Sequence, residues 1–111
     1  QENDCDIYIK CGGCCFRHIA YSAELKVKQN TVCENLKKEG IRTKINEIVG
    51  SPAINGYRNK AQLPIKSGEN GKISIGFYAK RSHRVIDLTT CRLHPDFFDD
   101  IIAYTRDFAE K

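Results

Sequence analysis

Three of the six cysteines in this 111-residue chain, Cys5, Cys11 and Cys14, crowd into one short stretch near its start, and a fourth, Cys91, lies far downstream. Thiolates are soft anionic ligands, and several converging on one point hold zinc or an iron–sulfur cluster. In Cys11-Gly12-Gly13-Cys14 the glycines permit a tight turn, so that both sulfurs can face one centre. Their backbone N–H groups can also approach the sulfurs and offset the charge. Cys5 reaches that centre from the preceding loop, and Cys91 is the natural fourth ligand. Two other chemistries compete for these residues. A structural zinc site usually has two paired knuckles, and only one Cys-x2-Cys pair exists here, though His18 can complete a Cys3His set without Cys91. Disulfides suit an even cysteine count, but adjacent Cys14 and Cys15 make simple pairing awkward. A helical thiol such as Cys33 reads as cytosolic rather than secreted. Spacing favours a metal centre over disulfides and leaves iron–sulfur and zinc both open. Cys15 reads as a bystander, and Cys33 as a small apolar residue on a buried helix face.

The elements that must position these sulfurs can be read from periodicity. After an irregular cysteine loop to about Phe16, Leu25, Val32, Cys33 and Leu36 recur at helical spacing. This predicts a helix over 22–39, with Ser22 as N-cap and Gly40 as the left-handed stop. A strand is expected over 57–66, with Tyr57, Ala61, Leu63 and Ile65 on one face and Arg58, Lys60, Gln62 and Lys66 on the other. Pro64 makes it an edge strand or a bulged one. A turn over 67–71 follows, with Asn70-Gly71 its strongest cue. Ile73, Ile75, Phe77 and Ala79 then alternate with Ser74, Gly76, Tyr78 and Lys80. A third short strand runs from Arg84 to Leu88, and 45–49 suggests a weaker one. Pro95 opens a last helix whose apolar stripe is Phe97, Ile101, Tyr104 and Phe108. The fold class is therefore α+β: a cysteine loop, a helix, a small antiparallel β-meander and a C-terminal helix in a single domain.

Composition narrows the function classes. Hydrophobic residues make up 41% and charged residues 29%, which is globular rather than disordered. No apolar run is long enough to span a bilayer and no signal segment opens the chain, so the expectation is a cytoplasmic protein without a membrane partner. With no Met in it, the chain is expected to be a piece of a longer or processed protein. Net charge is +4, concentrated in the middle: residues 41–92 carry ten Lys/Arg against three acids. Such a block is the footprint of a polyanion-binding surface.

Four motifs in order carry a family resemblance. They are Cys5-x5-Cys11-Gly12-Gly13-Cys14 with His18, Tyr21 and Leu25; Gly56-Tyr57-Arg58-Asn59-Lys60-Ala61-Gln62; Ile75-Gly76-Phe77-Tyr78; and Ser82-His83-x2-Ile86-Asp87 with Cys91. Together they cover nearly the whole chain, which resembles the cluster-bearing central domain of bacterial iron–sulfur 23S ribosomal RNA (uracil-5-)-methyltransferases. The resemblance implies a 4Fe–4S cluster held by Cys5, Cys11, Cys14 and Cys91. It implies 23S ribosomal RNA as partner, together with the enzyme's own catalytic domain. Family members begin with a small β-barrel RNA-binding domain and end with a Rossmann-like domain that binds S-adenosylmethionine. They methylate carbon 5 of uracil through a cysteine nucleophile that attacks carbon 6. This chain shows no Gly-rich strand–loop–helix fingerprint and no nucleophile motif, so no catalytic residue is assigned and the piece alone is expected to be inactive. The family commonly has Gln after the third cysteine, where Cys15 stands here.

On this reading the RNA-binding residues are Arg58, Lys60, Gln62, Tyr78, Lys80, Arg81, His83 and Arg84. Cations would hold the phosphates and an aromatic would stack on an unpaired base. Asp87, at a strand end, is expected to pair with a nearby Arg or Lys. The reading from a different class is a stand-alone zinc-binding interaction module with Cys91 away from the metal.

Overall fold

The computed structural model describes residues 4–68 and 71–111. Its elements are helix α1 (Tyr21–Lys38), strands β1 (Ile65–Ser67), β2 (Ile73–Tyr78) and β3 (Val85–Asp87), and helix α2 (Phe97–Ala109). The strands form one antiparallel sheet in the order β1-β2-β3, so the expected α+β class and meander are observed.

Strand β2 organises the core, and its alternation is the one expected. Ile75 and Ala79 are buried, Ile73 and Phe77 half-buried, and Tyr78 and Lys80 exposed. Gly76 pairs with Asp87, and a side chain there would collide with the Ile86 carbonyl, so only glycine lets β3 come this close. Two small clusters meet at β2. One joins Cys11, Ala79 and Ile86; the other joins Ile75, Leu88 and Ile102; Ile7 and Phe77 pack against both.

The strand expected over 57–66 shrinks to Ile65–Ser67, an edge strand as Pro64 requires. Its upstream half leaves the sheet because its backbone is used elsewhere. The N–H groups of Gly56 and Arg58 donate to the carbonyls of Arg92 and Leu93, both at 2.8 Å. The parity therefore inverts at the start: Tyr57 is exposed and Arg58 half-buried. Residues 69–70, including the expected Asn70 turn cue, lie outside the described residues. No strand forms over 45–49.

Helix α1 starts one residue before Ser22, with Ala20 at the N-cap and no side-chain cap, so the expected capping role of Ser22 is not realised. Its end is as expected. Gly40 has φ 71°, its N–H donates to the Lys37 carbonyl, and that of Ile41 donates to Leu36, the paired bonds of a Schellman stop. No residue of α1 is buried. The helix projects as an arm that helps give the molecule extents of 60 × 28 × 25 Å. The chain after it runs back alongside: Gln29 donates to the Asn46 carbonyl, and the Ser51 N–H to the Tyr21 hydroxyl at 2.7 Å. This single layer leaves Cys33 half-exposed rather than on a buried face.

Helix α2 begins two residues after Pro95, which supplies the first carbonyl, to the Phe98 N–H. The expected stripe of Phe97, Ile101, Tyr104 and Phe108 is exposed, between 53% and 73%. The face turned to the sheet is the adjacent one, which carries Ile102 and Arg106. The Arg106 guanidinium donates to the Ile73 carbonyl at 2.8 Å, to the Asp87 carboxylate at 2.9 Å and to the Leu88 carbonyl at 3.1 Å. Asp87, thus paired as expected, also accepts from the Ile75 N–H. Arg106→Ala strands these acceptors and is expected to cost about 2 kcal/mol, read as a lower denaturant midpoint with an unchanged slope.

Candidate metal centre and nucleic-acid face

The cysteine loop is held by the far end of β2. Cys11 forms an antiparallel bridge with Ala79, and the Gly12 N–H donates to the Tyr78 carbonyl at 2.9 Å. The two glycines matter here for closeness. Neither has a positive φ, but a Cβ on Gly12 would lie 2.5 Å from the Tyr78 carbonyl oxygen, and one on Gly13 would lie 3.0 Å from the Phe77 ring. The Gly13 N–H points at the Cys11 sulfur, 3.3 Å away. Leu88 ends the path of β3 and leads the chain directly to Cys91. Cys5, Cys11, Cys14 and Cys91 consequently line one small cavity whose other walls include Ile7, Phe77, Leu88 and Leu93.

Electrostatics mark the same convergence. Burial pushes the Cys11 thiol up, and the neighbouring Cys5 and Cys91 push it further, against the Gly13 N–H and Lys80, which pull it down. Burial likewise raises Cys14, followed by Cys91, Cys11 and Cys5, with Arg17 opposing. Four thiols in an apolar cavity with one N–H donor form a donor set suited to a soft cationic centre, which supplies the positive charge that thiolates in this cavity need. Among the described residues no three His, Cys, Asp or Glu side chains are arranged to hold a single metal ion. A lone tetrahedral zinc would need its sulfurs drawn to within about 4 Å of one another, since each Zn–S bond is about 2.3 Å. His18, the alternative zinc ligand, bonds through Nδ1 to the Tyr8 hydroxyl. Cys11, Cys14, Cys15, Cys33 and Cys91 form no disulfide, and Cys15 is exposed.

The residues expected to bind RNA fall into separate places. Tyr78 and His83 meet edge to face at 5.3 Å, beside exposed Lys80, Arg81 and Arg84 in the β2–β3 turn. Lys80 lies 4.7 Å over the Tyr8 ring, which joins that turn to the cysteine loop. Lys60 and Gln62 are exposed on the coil before β1. Arg58 departs from them and turns to the wall of a larger cavity beside Cys14 and Leu93. Two features had no signal in the sequence. Arg17 makes a bidentate pair with Asp4, at 2.7 and 2.6 Å, and a third bond to Asn55. His94, 2% exposed, stacks between Phe77 and Phe98, with neither ring nitrogen hydrogen-bonded among the described residues. Burial, then the Arg58 charge, holds His94 below its ordinary value, so the ring is neutral and acts as a third aromatic plate.

Two outcomes follow for the apo chain. Gly12→Ala is expected to lift the cysteine loop from β2 and cost about 2 kcal/mol in chemical unfolding. Because the folded-state thiols are raised, their contribution is fully present below the ordinary thiol value and is lost as pH rises through the folded one. The apo melting temperature should therefore fall as pH rises above the ordinary thiol value, and fall less in a Cys11→Ser, Cys14→Ser double variant.

No helix among the described residues is long and apolar enough to cross a membrane. No family model matches the chain. Individual proteins do. A Clostridium tetani protein named an uncharacterized RNA methyltransferase is 43% identical over 111 residues, covering 99% of this chain and 24% of that protein. A Listeria monocytogenes protein of the same description is 40% identical over the same span and shares. One from Staphylococcus aureus is 32% identical over 109 residues, 93% of this chain and 24% of its own. The chain spans about a quarter of the length of these curated relatives. Over 93–99% of its length it is a relative of proteins named RNA methyltransferases, and it corresponds to 24% of each.

Proposed function

We propose that this chain is the iron–sulfur-bearing, RNA-binding part of an S-adenosylmethionine-dependent RNA (uracil-5-)-methyltransferase acting on 23S ribosomal RNA. The observation that carries the metal half is the shared cavity of Cys5, Cys11, Cys14 and Cys91. Those thiolates would hold the cluster, and the Gly13 N–H would offset charge on the Cys11 sulfur. Uracil methylation by S-adenosylmethionine transfers no electrons, so the role of the cluster is to cross-link. It ties the first residues to Cys91 and closes a long loop, which narrows the unfolded ensemble.

The RNA half rests on the excess positive charge of the middle of the chain and on the Tyr78–His83 pair among exposed cations. The names of the relatives point to an RNA substrate in the same way. The exposed stripe of α2 supports a partner as well. Phe97, Ile101, Tyr104 and Phe108 form an apolar face that a longer protein would cover with its catalytic part.

Anaerobic purification followed by a visible spectrum and assays of iron, sulfide and zinc tests the metal reading. Iron and sulfide near equal amounts, with broad visible absorbance, are expected. Stoichiometric zinc with no colour, unchanged in Cys91→Ala, would establish the zinc module instead. In the iron-loaded protein, Cys91→Ala is expected to lose the absorbance and the cooperative melt together. RNA affinity should fall steeply with salt, and Lys80, Arg81 and Arg84 replaced together by Ala should flatten that slope by about two to three units. A slope near zero in the parent chain would remove the RNA reading.

A further inference from the structure

Next to the sulfur cavity, and sharing Gly13, Cys14 and Leu93 with it, lies a second cavity of about 610 Å³. This is the size of sites that take a small organic ligand. Its walls come from the cysteine loop, the start of α1 and the coil through residue 58. Phe16, Tyr21 and Tyr57 supply aromatic surface to it, and Arg17, Lys28 and Arg58 supply cations.

Most of that charge is already committed. Arg17 is locked to Asp4, and Lys28 is paired with Glu24 at 2.6 Å while lying over the Phe16 ring. Among the described residues the half-buried Arg58 guanidinium has neither a carboxylate nor a hydrogen-bond partner. Its place is set from behind, by its own N–H to the Leu93 carbonyl. Tyr57 beside it is 56% exposed, so much of its ring surface is open to a ligand. One uncommitted cation next to aromatic surface matches one phosphodiester next to one base. An acidic peptide would find a single available charge and no use for the rings. Duplex RNA presents its bases stacked and paired, out of reach of a cavity; an unpaired nucleotide can enter.

We infer that this cavity binds one unpaired nucleotide of the RNA, its base on the aromatic wall at Tyr57 and its phosphate at Arg58. The inference rests on the RNA-binding reading above and adds a site apart from the β2–β3 turn. Since Gly13 and Cys14 form part of its wall, the sulfur centre positions this pocket without touching the RNA chemistry.

The test is anisotropy with a single-stranded uridine decamer and a duplex of equal length, using the 111-residue chain purified without oxygen. Tyr57→Ala should weaken decamer binding about tenfold, and Tyr57→Phe should preserve it, because stacking needs the ring and not the hydroxyl. Arg58→Gln should weaken it and lower the salt slope by about one contact. Duplex affinity should stay within about twofold throughout. A decamer containing 4-thiouridine should cross-link to the cysteine loop or to Tyr57. Full decamer affinity in Tyr57→Ala and Arg58→Gln, alongside loss when Lys80, Arg81 and Arg84 are replaced, would overturn this site and leave the RNA reading standing. Equal losses for duplex and single strand would overturn it also, as would displacement of the decamer by a polyglutamate peptide that binds more tightly. A parent chain that binds neither RNA with any salt dependence would end both readings.

Discussion

The fold depends on one seam, where the cysteine loop docks on the last residues of β2. The bridge from Cys11 to Ala79 and the bond from Gly12 to Tyr78 are short-range contacts, but they join the first residues of the chain to the middle of the sheet. Strand β3 is already paired with β2, so whatever follows β3 arrives at the same place. Cys91 therefore meets the early thiols because of sheet register, before any metal is considered. Close approach is what the seam demands, and the absence of side chains at Gly12 and Gly13 provides it. The usual argument for such glycines, freedom to adopt a left-handed backbone, does not apply at these two positions.

Little else in the molecule resists unfolding to the same degree. Among the described residues eight hydrophobic side chains are buried, along the seam, the sheet with the segment after it, and the inner face of α2. Helix α1 contributes none, and its two intrahelical ion pairs, Lys28 with Glu24 and Lys37 with Glu34, are surface contacts of small energy. A thin core of this kind gains disproportionately from a cross-link between distant segments. The raised thiols of Cys11 and Cys14 express the complementary fact: in the apo chain the seam carries groups whose ionisation it opposes.

What the sequence made legible was local. The alternation of β2, the glycine stop of α1 and the edge character imposed by Pro64 all follow from rules with a reach of a few residues. What stayed hidden was decided between segments. The alternating pattern over 57–66 is compatible with a strand, yet Gly56 and Arg58 bond to residues 92 and 93, which no local pattern announces. On helix α2 the more apolar stripe stays outside, and Ile102 goes inward against Ile75 and Leu88 on the face from which Arg106 bonds to β2 and β3. The sulfur candidates, by contrast, could be named early because cysteine spacing carries chemical meaning on its own, and Cys91 stood out by its position after a strand.

The two cavities share one loop, and on the proposed reading that sharing constrains how a metal centre would act on bound RNA. Gly13 and Cys14 line both the sulfur cavity and the larger one. Arg17, three residues on, holds Asp4 and Asn55 with its guanidinium, and all three line the larger cavity. A change in the charge or spacing of the thiols thus acts first on the loop backbone and then on the cavity wall, through contacts already in place. Redox chemistry is not needed for such a coupling. A centre that does nothing but hold its sulfurs still would fix the shape of the wall, and a centre that is lost would release the wall together with the seam. Structural and functional consequences of the site are, in this geometry, the same displacement seen from its two sides.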